Sequence, residues 1–168
     1  MPSTPLPLIT VLLTGVNLLV FALNRLVLPS PIVSTPGRLD WRAFMANFSH
    51  MGVGHLAMNL FVLWQVLPVL ERSLPPQQIV GMLLSIWLTV VGLGWQFAKS
   101  PALGFSGIGL GIITFMALFA WHIPSLRNQL LFWLAVNIAI GFQPGISLEY
   151  HVFGAIGGVV AYGLWRVF

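Results

Sequence analysis

The chain has no cysteine and only three acidic residues, Asp40, Glu71 and Glu149, among its 168. Without a thiol it can build no disulfide framework and do no thiolate chemistry, although that absence does not locate its compartment. Seven basic residues bring the charged share to only 6%, against roughly 25% for an ordinary soluble domain. They are scattered singly and form no patch or stripe, which argues against nucleic acid as a partner. What is abundant is apolar: 58% hydrophobic residues, with seven Trp and 12 Phe. A soluble fold of one domain's size could not cover such a core with so few charges. The lipid bilayer must be the solvent for most of the surface.

Crossing about 30 Å of hydrocarbon takes roughly 17–25 mostly apolar residues as a helix. Residues 6–28, 54–70, 77–97, 105–121, 128–142 and 149–168 read as six such spans. The first has no basic segment before it and no small-x-small site after it, which separates it from a signal peptide. Pro75-Pro76, Pro124 and Gln143-Pro144-Gly145 punctuate the series. The fourth and fifth spans are short, which predicts a thin or funnel-shaped bundle. The expected fold class is therefore an all-α membrane protein, one domain over residues 1–168, with six transmembrane helices. Residues 29–49 are too polar to span, carrying Arg38, Asp40 and Arg42, yet they include Trp41, Phe44, Met45 and Phe48. That mix predicts a long loop between helices 1 and 2, lying partly in the membrane interface. Charge does not set the orientation, because Arg72, Arg127 and Arg166 fall on one side and Arg38, Arg42 and Lys99 on the other. His122, near Pro124, reads as interfacial.

Polar residues inside spans are costly and are functional candidates. His55 and Asn59 are four apart, so a helix puts both on one face, with donors aimed at one point; bonding between helices is the other use of such a pair. Ser106 lies in Gly104-Phe105-Ser106-Gly107 at the start of the fourth span. A serine between glycines at a helix N-terminus exposes its hydroxyl beside free N–H groups suited to a developing oxyanion. His151 begins the sixth span. Gly107 and Gly111 form a small-xxx-small ridge beginning next to Ser106, and Gly154 and Gly158 form another close behind His151. Packing the ridges together would bring hydroxyl and imidazole within reach of each other. No carboxylate is placed to complete a triad, since Glu149 is two residues from His151 and would point elsewhere. The expectation is a dyad with the imidazole oriented by packing. Four histidines and few carboxylates do not make a transition-metal shell, and no cofactor is implied.

Taken together, these residues resemble the rhomboid family of intramembrane serine proteases over nearly the whole chain. Trp41-Arg42 matches the family's loop pair, His50-x4-His55-x3-Asn59 its second-helix motif, and Glu71 the acidic residue that often follows. Gly104-Phe105-Ser106-Gly107 and His151-x2-Gly154-x3-Gly158 match the fourth- and sixth-helix motifs. The resemblance implies a water-filled site below the membrane surface, with both termini cytoplasmic and the site open to the opposite side. It implies Ser106 as nucleophile and His151 as base, an oxyanion held by His55, Asn59 and the Ser106 N–H, and His50 and Gly104 in support. Substrates would be single-span membrane proteins cleaved where their helix unwinds. The short six-span form suggests a bacterial inner-membrane protein without a soluble regulatory domain. Two departures stand out. Leu110 occupies the place of the aromatic usually stacked on the catalytic histidine, and Tyr150 replaces a small residue, so the ring is expected from the neighbouring helix. A rhomboid-like pseudoprotease, binding membrane proteins without cleaving them, is the rival, but such relatives usually lack the serine or histidine. A transporter would show a repeat between halves, and none is visible.

Overall fold

The computed structural model describes residues 6–143 and 145–167. Pro144, part of the breaker expected after the fifth span, and Phe168, the last residue of the sixth, lie outside the described residues. The described residues form α1 (Leu8–Leu26), α2 (Trp41–Met45), a 3-10 turn (Ala46–Phe48), α3 (Val53–Ser73), α4 (Pro76–Phe97), α5 (Ser106–Phe119), α6 (Pro124–Ile140) and α7 (Leu148–Val167). Among them there is no strand, only an isolated bridge between Ser34 and Ala102. Helices α1, α3 and α4 are each long and apolar enough to cross a membrane.

Local chemistry explains the boundaries that differ from the sequence reading. Pro124, expected to close the fourth span, instead opens α6, so that helix starts before residue 128. Proline suits a first helical position because the N–H it lacks would have no partner there. Helix α3 runs through Pro68 and ends at Ser73, beyond Glu71. The Glu71 carboxylate accepts from the Ile9 N–H (2.9 Å), the Thr10 N–H (2.8 Å) and the Thr10 hydroxyl (2.5 Å). An acidic group from α3 thereby caps the positive end of α1, where Pro7 offers no side-chain cap.

These contacts also set the directions of the helices. Glu71 ties the end of α3 to the start of α1, and at the opposite face the Asn24 side chain donates to Ser49 Oγ at 2.6 Å. Trp165 Nε1 donates to Gln78 Oε1 at 3.0 Å, which puts the end of α7 beside the start of α4. The start of α1 and the end of α7 thus lie on one face, and the starts of α3, α5 and α7 on the other. Helix α5 is the axis: residues 107–117 are all buried, enclosed by α3, α4, α6 and α7.

The segment between α1 and α3 is clamped to the far ends of the bundle. Ser34 and Ala102 exchange two backbone hydrogen bonds (2.9 and 3.1 Å), and the Gly37 N–H donates to the Trp95 carbonyl at 3.0 Å. Its aromatics divide. Trp41 is exposed, whereas Phe48 enters the core against Trp87 and Phe105, with ring centroids 5.5 and 6.0 Å away.

Helices α5 and α7 meet backbone to backbone. A Cβ added at Gly154 would overlap the Gly107 carbonyl oxygen, and one at Gly158 would overlap that of Gly111. From the other side, a Cβ at Gly107 would lie 3.0 Å from the Tyr150 carbonyl oxygen, and one at Gly111 2.9 Å from that of Gly154. Gly154→Ala is expected to destabilise the detergent-solubilised protein by about 1–3 kcal/mol through overpacking. Gly163→Ala, in the same helix but with open space around it, should be neutral or stabilise by about 0.5–1 kcal/mol. Thermal unfolding of both variants checks this, and equal effects would contradict it.

Candidate active site

The residues before Ser106 leave both its hydroxyl and its N–H free. Gly104 has a φ of +119°, in the region that favours glycine, and a Cβ there would lie 2.6 Å from Cε1 of His55. Its N–H donates to the Ala46 carbonyl at 2.9 Å, tying this turn to the segment before α3. Phe105 is buried and anchors the turn, and no side chain caps α5. The first N–H groups of α5 therefore have no intrahelical partner and carry the positive end of the helix.

His151 is buried one turn into α7. Its Nε2 lies 3.1 Å from Ser106 Oγ, and its Nδ1 lies 2.9 Å from the main-chain oxygen of Asn137 in α6. A carbonyl oxygen only accepts, so Nδ1 carries the hydrogen and Nε2 the lone pair. The Ser106 hydroxyl then donates to Nε2. The imidazole is thus oriented by a main-chain carbonyl, where the sequence reading had left that role to packing. Glu149 turns away, its carboxylate accepting from the Lys99 N–H at 2.8 Å.

The ring expected from Tyr150 is not on His151. Successive helical residues diverge by about 100°, and the Tyr150 ring lies against Gly94, where a Cβ would be 2.8 Å away. Its hydroxyl pairs with Ser34 Oγ at 2.9 Å. Tyr150 therefore fastens α7 to α4 and to the segment after α1. Leu110 is 1% exposed and does not line the cavity beside Ser106. His122 is exposed in the turn after α5.

His55 and Asn59 stand on the same face of α3. The Asn59 amide donates to the His55 carbonyl at 3.0 Å, which leaves its second N–H uncommitted. The His55 ring meets His50 edge-on, with centroids 5.0 Å apart. His50 donates through Nδ1 to the Phe48 carbonyl at 3.2 Å, while its Nε2 is buried without a partner. Ser106, His151, His55, Asn59 and Gly104 all line one cavity of about 720 Å³. Its walls also include Asn137 and Ile140 of α6, Ser30, Pro31, Val33 and Ser34, and the apolar side chains of Met51, Met58 and Ile146. No cluster of His, Asp or Glu suited to a metal ion is present among the described residues.

The sequence model of the rhomboid domain matches residues 38–166, which take in α2 to α7 together with Ser106, His151, His55 and Asn59, while α1 precedes the match. This chain belongs to the rhomboid family. Members of that family are intramembrane serine proteases, together with inactive relatives, and with the three apolar helices this marks an integral membrane protein. Rhomboid protease GluP of Bacillus subtilis (strain 168) is 27% identical over 127 residues, covering 72% of this chain and 25% of that protein. RHOMBOID-like protein 6, mitochondrial, of Arabidopsis thaliana is 28% identical over 136 residues, covering 73% of this chain and 42% of that protein. This rhomboid chain therefore spans a quarter and about two-fifths, respectively, of the lengths of those relatives.

Two contacts at this rhomboid site carry no clear sequence signal. The Asn137 carbonyl is a main-chain atom, although an asparagine inside a span was a cue to look there. The Ser34–Tyr150 pair joins residues far apart in the chain. His50, just before α3, is pushed down to about 4 from 6.5, chiefly by burial and further by the neighbouring His55, against an opposing pull from the Phe48 carbonyl. The unfolded chain takes up this proton below pH 6.5, and the folded chain refuses it until about pH 4. The stability His50 confers is thus fully present above pH 6.5 and is lost as pH falls through that window. Unfolding measured from about pH 7 to about pH 4 should show a steeper loss in the wild type than in His50→Gln. Superimposable slopes would contradict this.

Proposed function

We propose that this protein is an intramembrane serine endopeptidase, with Ser106 as nucleophile and His151 as general base. The observation that carries the reading is the 3.1 Å Ser106 Oγ to His151 Nε2 contact, at a cavity wall, with Nδ1 fixed from behind by Asn137. Membership of a protease family supports it. Ser106 Oγ attacks the scissile carbonyl as its proton passes to Nε2, and His151 returns that proton to the leaving amine. Water then attacks the acyl-enzyme with the same base. The oxyanion is held by the Ser106 N–H, the free Asn59 amide N–H and His55, with Gly104 and His50 keeping the His55 ring in place.

In this reading the six long helices are six membrane spans of one domain, and α2 with its flanking loop lies in the interface. Fourteen residues make α5 about 21 Å long, against about 30 Å of hydrocarbon. With its C-terminal end at one surface, its N-terminus stops short of the other and Ser106 sits below the membrane surface. The start of α1 and the end of α7 lie on the face away from Ser106, so a cytoplasmic position for that face puts the cavity mouth on the opposite side. Its substrates are single-span membrane proteins whose helix unwinds near the scissile bond, because a helical carbonyl is already hydrogen-bonded and shielded. A pseudoprotease that only binds such helices has no need of a serine and imidazole held in hydrogen-bonding contact.

Cleavage of a single-span substrate in proteoliposomes tests the proposal. Ser106→Ala should abolish product, and Asn59→Ala should lower kcat on the order of 10²-fold through loss of an oxyanion donor. Equal product from wild type and Ser106→Ala would overturn it.

A further inference from the structure

Helix α6 is the least buried of the long helices, with Leu130 alone buried among its 17 residues. It nevertheless supplies the acceptor that fixes the tautomer of His151. In a regular helix the Asn137 carbonyl would be committed to the Gly141 N–H. Here that N–H is divided between Asn137 O (3.2 Å) and Ile138 O (3.0 Å). The next two donors, from Phe142 and Gln143, reach back only three residues, to Ala139 (3.2 Å) and Ile140 (3.0 Å). Tightening the last turn in this 3-10 manner loosens the claim on the Asn137 carbonyl and frees it for His151.

Gly141 sets the distance. Its φ of −60° and ψ of −17° are open to any residue, so conformation does not require a glycine there. Space does, since a Cβ would lie 2.9 Å from Leu148 Cα and 3.0 Å from both Leu148 Cδ1 and Ile138 O. Leu148 opens α7, one turn before His151. The Asn137 side chain is not the contact, because its amide donates back to the Trp133 carbonyl at 2.8 Å.

We infer that Gly141 is a positioning residue: by letting the end of α6 abut the start of α7, it holds the Asn137 carbonyl against Nδ1 of His151. The imidazole keeps its lone pair toward Ser106 only while α6 is seated on α7. This rests on His151 being the base of a Ser106 protease, but it adds a third, main-chain member to the pair and makes the base's readiness depend on the position of a largely exposed helix.

The test is Gly141→Ala, reconstituted and 15N-labelled at histidine. Nitrogen NMR should find His151 of the wild type as the single Nδ1–H tautomer, and that of the variant as a mixture with the Nε2–H form. With the single-span substrate, kcat should fall about ten- to a hundredfold, as for a misplaced catalytic group, while KM stays within about twofold. Unchanged kcat and tautomer would overturn the inference. So would a lower kcat with an unchanged tautomer, which would mean a purely structural effect. If the variant does not fold, the wild-type spectrum decides, because a proton on Nε2 contradicts the inference. Failure of the protease reading is seen separately, as product formation indifferent to Ser106→Ala.

Discussion

Where α5 passes α7, four glycines let carbonyl oxygens occupy the space that side chains would fill. The meeting of Ser106 with His151 depends on that approach. Helices with ordinary side chains at the contact pack with axes about 8–10 Å apart, and at such spacing a serine on one and a histidine on the other need not meet. With the backbones in contact, Ser106 at the first turn of α5 and His151 near the first turn of α7 fall within 3.1 Å. In lipid, where hydrophobicity gives no preference between helix and solvent, such packing is itself a main source of association. The same contact that holds the bundle together therefore brings the Ser106 hydroxyl to the His151 imidazole.

Around that contact, the site's polar atoms are settled mostly by main-chain groups. His151 binds the Asn137 carbonyl, Asn59 the His55 carbonyl, and His50 the Phe48 carbonyl. A carboxylate in any of these positions would bring a charge with a desolvation cost of several kcal/mol; a carbonyl orients a neutral ring without it. The acidic groups act where the bundle meets its surroundings. Glu71 caps α1 and Glu149 holds the Lys99 N–H.

Much of this arrangement was legible in the chain. Hydrophobic runs located the long helices, because lipid demands unbroken apolar stretches whatever the tertiary fold. The small-xxx-small spacing of Gly107, Gly111, Gly154 and Gly158 was readable for a similar reason, since only an absent side chain permits so close a contact. The spacing of His55 and Asn59 put both on one helical face. Less accessible was anything depending on the main chain or on distant pairs. Pro124 could end one helix or begin the next, and local chemistry allows both. Phe48 had the composition of a surface anchor, and only packing against Trp87 and Phe105 makes it core. Tyr150 was expected on His151, but helical geometry turns its ring toward Gly94 and Ser34.

The central claim is that Ser106 is a nucleophile because His151 makes it one. Labelling with a fluorophosphonate, which reacts with an activated serine hydroxyl and needs no knowledge of the substrate, tests this most directly. Peptide mass spectrometry of the reconstituted protein should find the phosphonyl group on Ser106 in the wild type and find it absent in a folded His151→Ala variant. Labelling at another residue, or labelling of Ser106 that is indifferent to the loss of His151, would contradict the account.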